Sequence, residues 1–121
     1  MPLPRATAVL VVAAVLAGCG GAEPTASVSG GRVAVELDDF LIQPQDITAR
    51  HGVVTFSVTN HGRLVHSFHV QAPGCQPVKI TRLHPGASAT ATANLAPGEY
   101  RLVCVESNHA ELGMTGRLIV R

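Results

Sequence analysis

Alternation with a period of two is the feature that most constrains this chain. In RVAVELDDF, Val33, Val35 and Leu37 alternate with Ala34, Glu36 and Asp38; in GVVTFSVTN, Val54, Phe56 and Val58 fall on one parity. Successive side chains of a strand point to opposite faces, so such runs build sheets with one buried face. An amphipathic helix needs apolar residues three and four apart, and no stretch of more than a turn or two has them. Turn signals punctuate the runs at Asn60-His61-Gly62, Ala72-Pro73-Gly74, His84-Pro85-Gly86 and Pro97-Gly98. Between them lie DITAR (46–50), LVHSFHV (64–70), VKITRL (78–83), ASATATANL (87–95), EYRLVCV (99–105) and TGRLIVR (115–121). The pattern predicts an all-β sandwich or barrel of about eight short strands. The small Ala and Thr side chains of 87–94 predict tight sheet packing or a shallow edge.

The first part of the chain follows different rules. Arg5 precedes the apolar run AVLVVAAVLA, Ala8 to Ala17, which has signal-peptide length and is short for a membrane span. Leu16-Ala17-Gly18-Cys19 then places small residues before a cysteine. This order resembles the bacterial lipoprotein signal, which implies cleavage before Cys19 and a lipid on its sulfur. Residues 1–18 are therefore read as a signal peptide and 19–31 as the lipidated cysteine with a glycine-rich tether. Residues 32–121 form the single domain that a chain of 121 residues allows. The implied location is exported, on the outer face of the cytoplasmic membrane or the periplasmic side of an outer membrane. A formal net charge of +1 with no basic run, and 3% aromatic residues, argue against nucleic acid as a partner.

The chemistry concentrates in CVESNHAELGM, where Cys104, His109 and Met114 are evenly spaced. Thiolate and thioether are soft donors that favour copper, and imidazole suits both copper oxidation states. One Cys, two His and a weak axial Met define an electron-transfer copper site. The second imidazole must come from a neighbouring strand. His66 is the best candidate, because it shares parity with Phe68 and Val70. Cys104 likewise shares parity with Tyr100 and Leu102, and Met114 with Leu118 and Val120. Parity permits these donors to converge on one interior.

GEYRLVCVESNHAELGMTGRLIV, Gly98 to Val120, resembles the C-terminal half of a cupredoxin of the plastocyanin-like group. There a Tyr precedes the ligand cysteine, as Tyr100 does here, and G-M-x-G leads into the last strand, as Gly113-Met114-Thr115-Gly116 does. Upstream, NHGRLVHSF is similar to the region of the first histidine ligand. The resemblance covers Arg32 to Arg121. It implies a Greek-key antiparallel β-sandwich of about eight strands with one type 1 copper on His66, Cys104, His109 and Met114, and a one-electron carrier rather than an enzyme. It also implies redox partner proteins docking near His109, on a rim of Ala110, Leu112 and Gly113, and a monomer. Two departures stand out. Ser107-Asn108 replaces the Pro-Gly common before the second histidine. Val105 replaces a hydroxyl residue that, in many relatives, clasps the residue after the first histidine, here Ser67.

Other readings stay open on the residues alone. The metal could be cargo, in a copper-binding or copper-delivery protein. Zinc could use His66, Cys104 and His109, although structural zinc rarely keeps a thioether. An exported protein with Cys75 and Cys104 could join them, giving a metal-free interaction domain. Under the copper reading Cys75 is expected to be free or partly buried, far from the metal. His51, His61, His69 and His84 are expected at the surface or in turns.

Overall fold

The computed structural model describes residues 29–121. The signal peptide, Cys19 and most of the tether lie outside the described residues. Nine strands follow in order: β1 (Ser29–Asp38), β2 (Leu41–Gln43), β3 (Asp46–Ala49), β4 (Gly52–Asn60), β5 (His66–Ala72), β6 (Cys75–Leu83), β7 (Ser88–Leu95), β8 (Gly98–Val103) and β9 (Thr115–Val120). They form a sandwich of a four-stranded sheet, β2-β1-β4-β7, and a five-stranded sheet, β3-β9-β8-β5-β6. β1 begins at Ser29, so the last residues of the stretch read as tether belong to the first strand. Among the described residues no helix is long and apolar enough to cross a membrane.

Both sheets are mixed, which differs from a wholly antiparallel sandwich. β1 runs parallel to β4, pairing Val33 with Phe56 and Leu37 with Asn60. β3 runs parallel to β9, pairing Ile47 with Leu118. The cause is the path of the chain's first segment. β2 folds back on β1 through a tight turn, and the chain then crosses at Pro44-Gln45 to the other sheet. Phe40 sits in that turn with φ of 63°, a left-handed conformation that ends the strand at Asp38.

The alternation builds the core as expected. Val35, Leu37, Val54, Phe56 and Val58 from one sheet meet Phe68, Val70, Tyr100, Leu102, Leu118 and Val120 from the other, all buried. Phe56 and Phe68 bring the two inner faces together with ring centroids 5.7 Å apart. Tyr100 donates its hydroxyl proton to Ala96 O at 2.7 Å, so its polar end is satisfied inside the core. β7, the Ala/Thr strand, is the edge of the four-stranded sheet. Its Ala89, Ala91 and Ala93 pack on the core while Thr92 and Ser88 bond across to Thr55 and Thr59.

The β5–β6 hairpin runs from His66 opposite Leu83 to Ala72 opposite Cys75. Cys75 is therefore at the far end of the hairpin from His66, as expected. It is, however, disulfide-bonded rather than free. Cys104 is a free, buried thiol. A Cys75–Cys104 disulfide is thus excluded, and with it the metal-free domain built on that pairing. His51, His61 and His84 are exposed, but His69 is buried on β5, correcting the expectation of a surface residue. Its Nδ1 lies 3.3 Å from Gln76 Oε1, a partner on β6.

Candidate metal centre

β5 and β8 are antiparallel neighbours, with Val70 opposite Leu102. The start of β5 and the end of β8 therefore lie side by side at one end of the sandwich. His66 opens β5, and Cys104 follows β8 directly. Cys104 N donates to Met114 O at 3.1 Å, which carries the β8–β9 ladder one step beyond the strands. Between Cys104 and Met114 the chain winds into turns. His109 N bonds Glu106 O, and Leu112 N and Met114 N both bond His109 O, each near 3 Å. These bonds fold the loop back over the end of the sheet and carry His109 onto Cys104.

Gly113 has φ of 109°, and a Cβ on Gly116 would collide with the backbone carbonyl of Gln45. The G-M-x-G motif therefore has a local cause. One glycine turns the chain, and the other lets β9 approach the crossing to β3.

The three donor atoms converge in a buried pocket. His66 Nδ1 lies 3.2 Å from His109 Nδ1, Cys104 Sγ lies 3.6 Å from His109 Nδ1, and Cys104 Sγ lies 4.0 Å from His66 Nδ1. A triangle with these sides has a circumradius of about 2.1 Å, within the usual range of metal–imidazole bonds. One ion could therefore touch all three atoms at bonding distance. The donor set is two imidazoles and a thiol, which suits copper. His66 and Cys104 are fully buried and His109 is 8% exposed. Met114 is also fully buried and is bonded, backbone to backbone, to both Cys104 and His109.

The surroundings fix these groups. Ser67 N points its proton at Cys104 Sγ from 3.4 Å, and Ser67 Oγ lies 3.7 Å from the same sulfur. Val105 N donates to Ser67 Oγ at 2.9 Å. The clasp between the two strands therefore survives the missing hydroxyl at Val105, because a backbone amide takes its place. Phe40 packs edge-on against the His109 ring, centroids 5.2 Å apart.

Asp39 is the residue that strand patterns did not reveal. Its Oδ1 accepts from His66 Nε2 at 2.9 Å. The backbone amides of Arg63 and Leu64 donate to the same carboxylate at 3.1–3.2 Å. The hydrogen bond from His66, then that from Arg63, hold the Asp39 carboxyl below its ordinary value. In the sequence Asp39 is one of two acidic residues ending a strand run, with nothing to link it to a histidine 27 positions away. Phe40 was likewise hidden, read as the end of a strand rather than as a turn against the site.

Structural comparison places this arrangement among known folds. The chain is similar to dithionite-reduced auracyanin from the photosynthetic bacterium Roseiflexus castenholzii, with a TM-score of 0.68 and 18% identity over 77% of this chain and 98% of that one. It is also similar to auracyanin B, with a TM-score of 0.64 and 18% identity over 87% of this chain and 96% of that one. No curated protein sequence matches it. The cupredoxin-like domain model matches residues 6–120, and with the sandwich and the buried cluster of His66, Cys104 and His109 this establishes that the chain belongs to the cupredoxin-like family.

Proposed function

We propose that the protein is a type 1 copper protein that carries single electrons outside the cytoplasmic membrane, with His66, Cys104 and His109 as ligands and Met114 as the weak axial donor. The observation that carries this reading is the triangle of Nδ1, Nδ1 and Sγ, which one ion fits at bonding distance. Bound copper supplies a one-electron Cu(II)/Cu(I) couple. The chain's residues hold the donors in place before metal arrives, so little must move when the charge changes. The Ser67 amide stabilises negative charge on the Cys104 sulfur, and the buried pocket keeps water off the thiolate. Among the described residues this is the one cluster of His, Cys, Asp and Glu with metal-binding spacing.

The deciding experiment is a visible and EPR spectrum of the full chain after adding Cu(II). A thiolate-bound type 1 site gives an intense charge-transfer band and a narrowed copper hyperfine splitting. Cys104→Ser should abolish the band, because the thiolate creates it. A copper-delivery protein would instead give a weak d-d band or none.

The partner reading rests on the surface over His109. Leu112 is 51% exposed, Ala110 and Gly113 lie beside it in the loop that carries His109, and Phe40 packs edge-on against the nearly buried imidazole. A small apolar rim of this kind suits brief docking of redox proteins by a monomeric carrier. Cu(I)/Cu(II) self-exchange between copies, followed by NMR line broadening, probes it directly. Leu112→Lys should slow self-exchange by roughly tenfold through like-charge repulsion, with the potential unchanged. An unaltered rate would remove this face from the electron path.

Anchoring to the membrane through a lipid on Cys19 completes the proposal. Of the three cysteines in the sequence, Cys104 is a free thiol and Cys75 is disulfide-bonded, and a sulfur that carries lipid cannot also join a disulfide. The mass and free-thiol count of the mature protein therefore show which use the Cys19 sulfur has.

A further inference from the structure

We propose that Asp39 is a positioning residue for the metal: it holds His66 in the tautomer whose Nδ1 lone pair faces the centre, and its charge biases bound copper toward Cu(II). The inference rests on the copper reading for its second half only.

The argument starts from the two ring nitrogens of His66. A neutral imidazole carries one proton, and a carboxylate against one nitrogen draws the proton there. Asp39 Oδ1 is 2.9 Å from Nε2, so Nε2 donates and Nδ1 is left with its lone pair. That Nδ1 is the atom facing Cys104 Sγ and His109 Nδ1. Carboxylate, histidine and metal in series fix ring orientation and raise the ligand's basicity.

The contact is built rather than incidental. The Asp39 side chain is 28% exposed while His66 is fully buried. The carboxylate thus sits at the pocket wall, with Arg63 N and Leu64 N holding it from the loop before β5. Gly62 is buried against the pair. A Cβ at that position would lie 2.5 Å from Asp39 Oδ1 and 2.9 Å from His66 Nε2. Only a residue without a side chain leaves room for the two to meet.

The charge then has a direction of effect. A fixed negative charge one imidazole away stabilises Cu(II) more than Cu(I), so Asp39 lowers the reduction potential. Asn in its place can keep Oδ1 as acceptor for His66, Arg63 and Leu64 while removing the charge. Ala removes both.

Two measurements on the full chain separate the parts. Nitrogen-15 NMR of the copper-free protein should show His66 as the Nε2–H tautomer, and Asp39→Ala should replace it with a mixture. A wild-type Nδ1–H tautomer, or an Asp39→Ala protein with the tautomer unchanged, overturns the positioning role. Redox titration of the copper-loaded protein should show Asp39→Asn shifted upward with its charge-transfer band intact. An unshifted or lowered potential overturns the charge bias, as does an Asp39→Asn protein without a band, since the neutral isostere would then be failing as a ligand support. A wild-type chain with no band at all sinks the copper reading and leaves the NMR result to judge Asp39 on its own.

Discussion

Met114 leaves the loop at the point where it rejoins the sheet, its backbone bonded to both Cys104 and His109. Its side chain is fully buried among apolar neighbours. A thioether there can act in two ways, as core filler or as a weak donor, and one substitution distinguishes them. Leu fills nearly the same volume, so Met114→Leu should cost less than about 1.5 kcal/mol of stability. It should keep the charge-transfer band, which belongs to Cys104. It should raise the reduction potential, because a weak axial donor tunes the couple more than it retains the metal. Redox titration beside thermal denaturation checks both halves. Loss of copper in Met114→Leu would mean that His66, Cys104 and His109 do not suffice, and that the thioether is more than a weak donor.

The loop between β4 and β5 shows how one polar side chain can shape an element. Asn60 is fully buried where β4 ends. Its Nδ2 donates to Leu64 O at 2.9 Å and Leu83 O at 2.8 Å, and its Oδ1 accepts from Gly62 N at 2.8 Å. It therefore ties the loop to the end of β6, and the loop in turn holds Asp39 and delivers His66. Asn60→Ala strands three backbone groups, two of them in a buried setting, and should cost about 3 kcal/mol, read as a lower midpoint in denaturant. It should also weaken copper retention, since the loop no longer fixes His66. This element was half legible in the sequence. The Asn-His-Gly turn and the parity of His66 with Phe68 are local properties and can be read from neighbouring residues. The brace to Leu83, and the Asp39–His66 contact across 27 positions, are not local and leave no periodic mark. The same division explains the strands. β4, β8 and β9 show their buried faces through alternation, whereas β5 is buried on both faces from His66 to Val70 and three-residue β2 is shorter than any period can register. The parallel pairings depend on where the chain crosses between sheets, which side-chain patterns do not record. The Val105 clasp was hidden for another reason: it uses a backbone amide, which every residue except proline supplies.

At the scale of the whole molecule, the sandwich has the donor cluster at one end and the start of β1 at the other. β1 enters with Ser29 beside Val53 and leaves with Leu37 beside Asn60, next to Asp39 and the His66 loop. The strand thus spans the long dimension, roughly 30 Å for ten residues. In the proposed anchoring, residues 20–28 span at most about 30 Å between Cys19 and the domain. An anchor joined at that end would leave His109 and its apolar rim free to face away from the membrane surface. Anchoring and metal chemistry then occupy opposite ends and should be separable. Cys19→Ser is expected to move the protein from the membrane to the soluble fraction. Its charge-transfer band and reduction potential should match those of wild type, because nothing near the donors has changed. A Cys19→Ser protein that stays with the membrane would show that something other than a lipid on this sulfur holds it there. A shifted potential would show that the two ends are coupled through the sandwich.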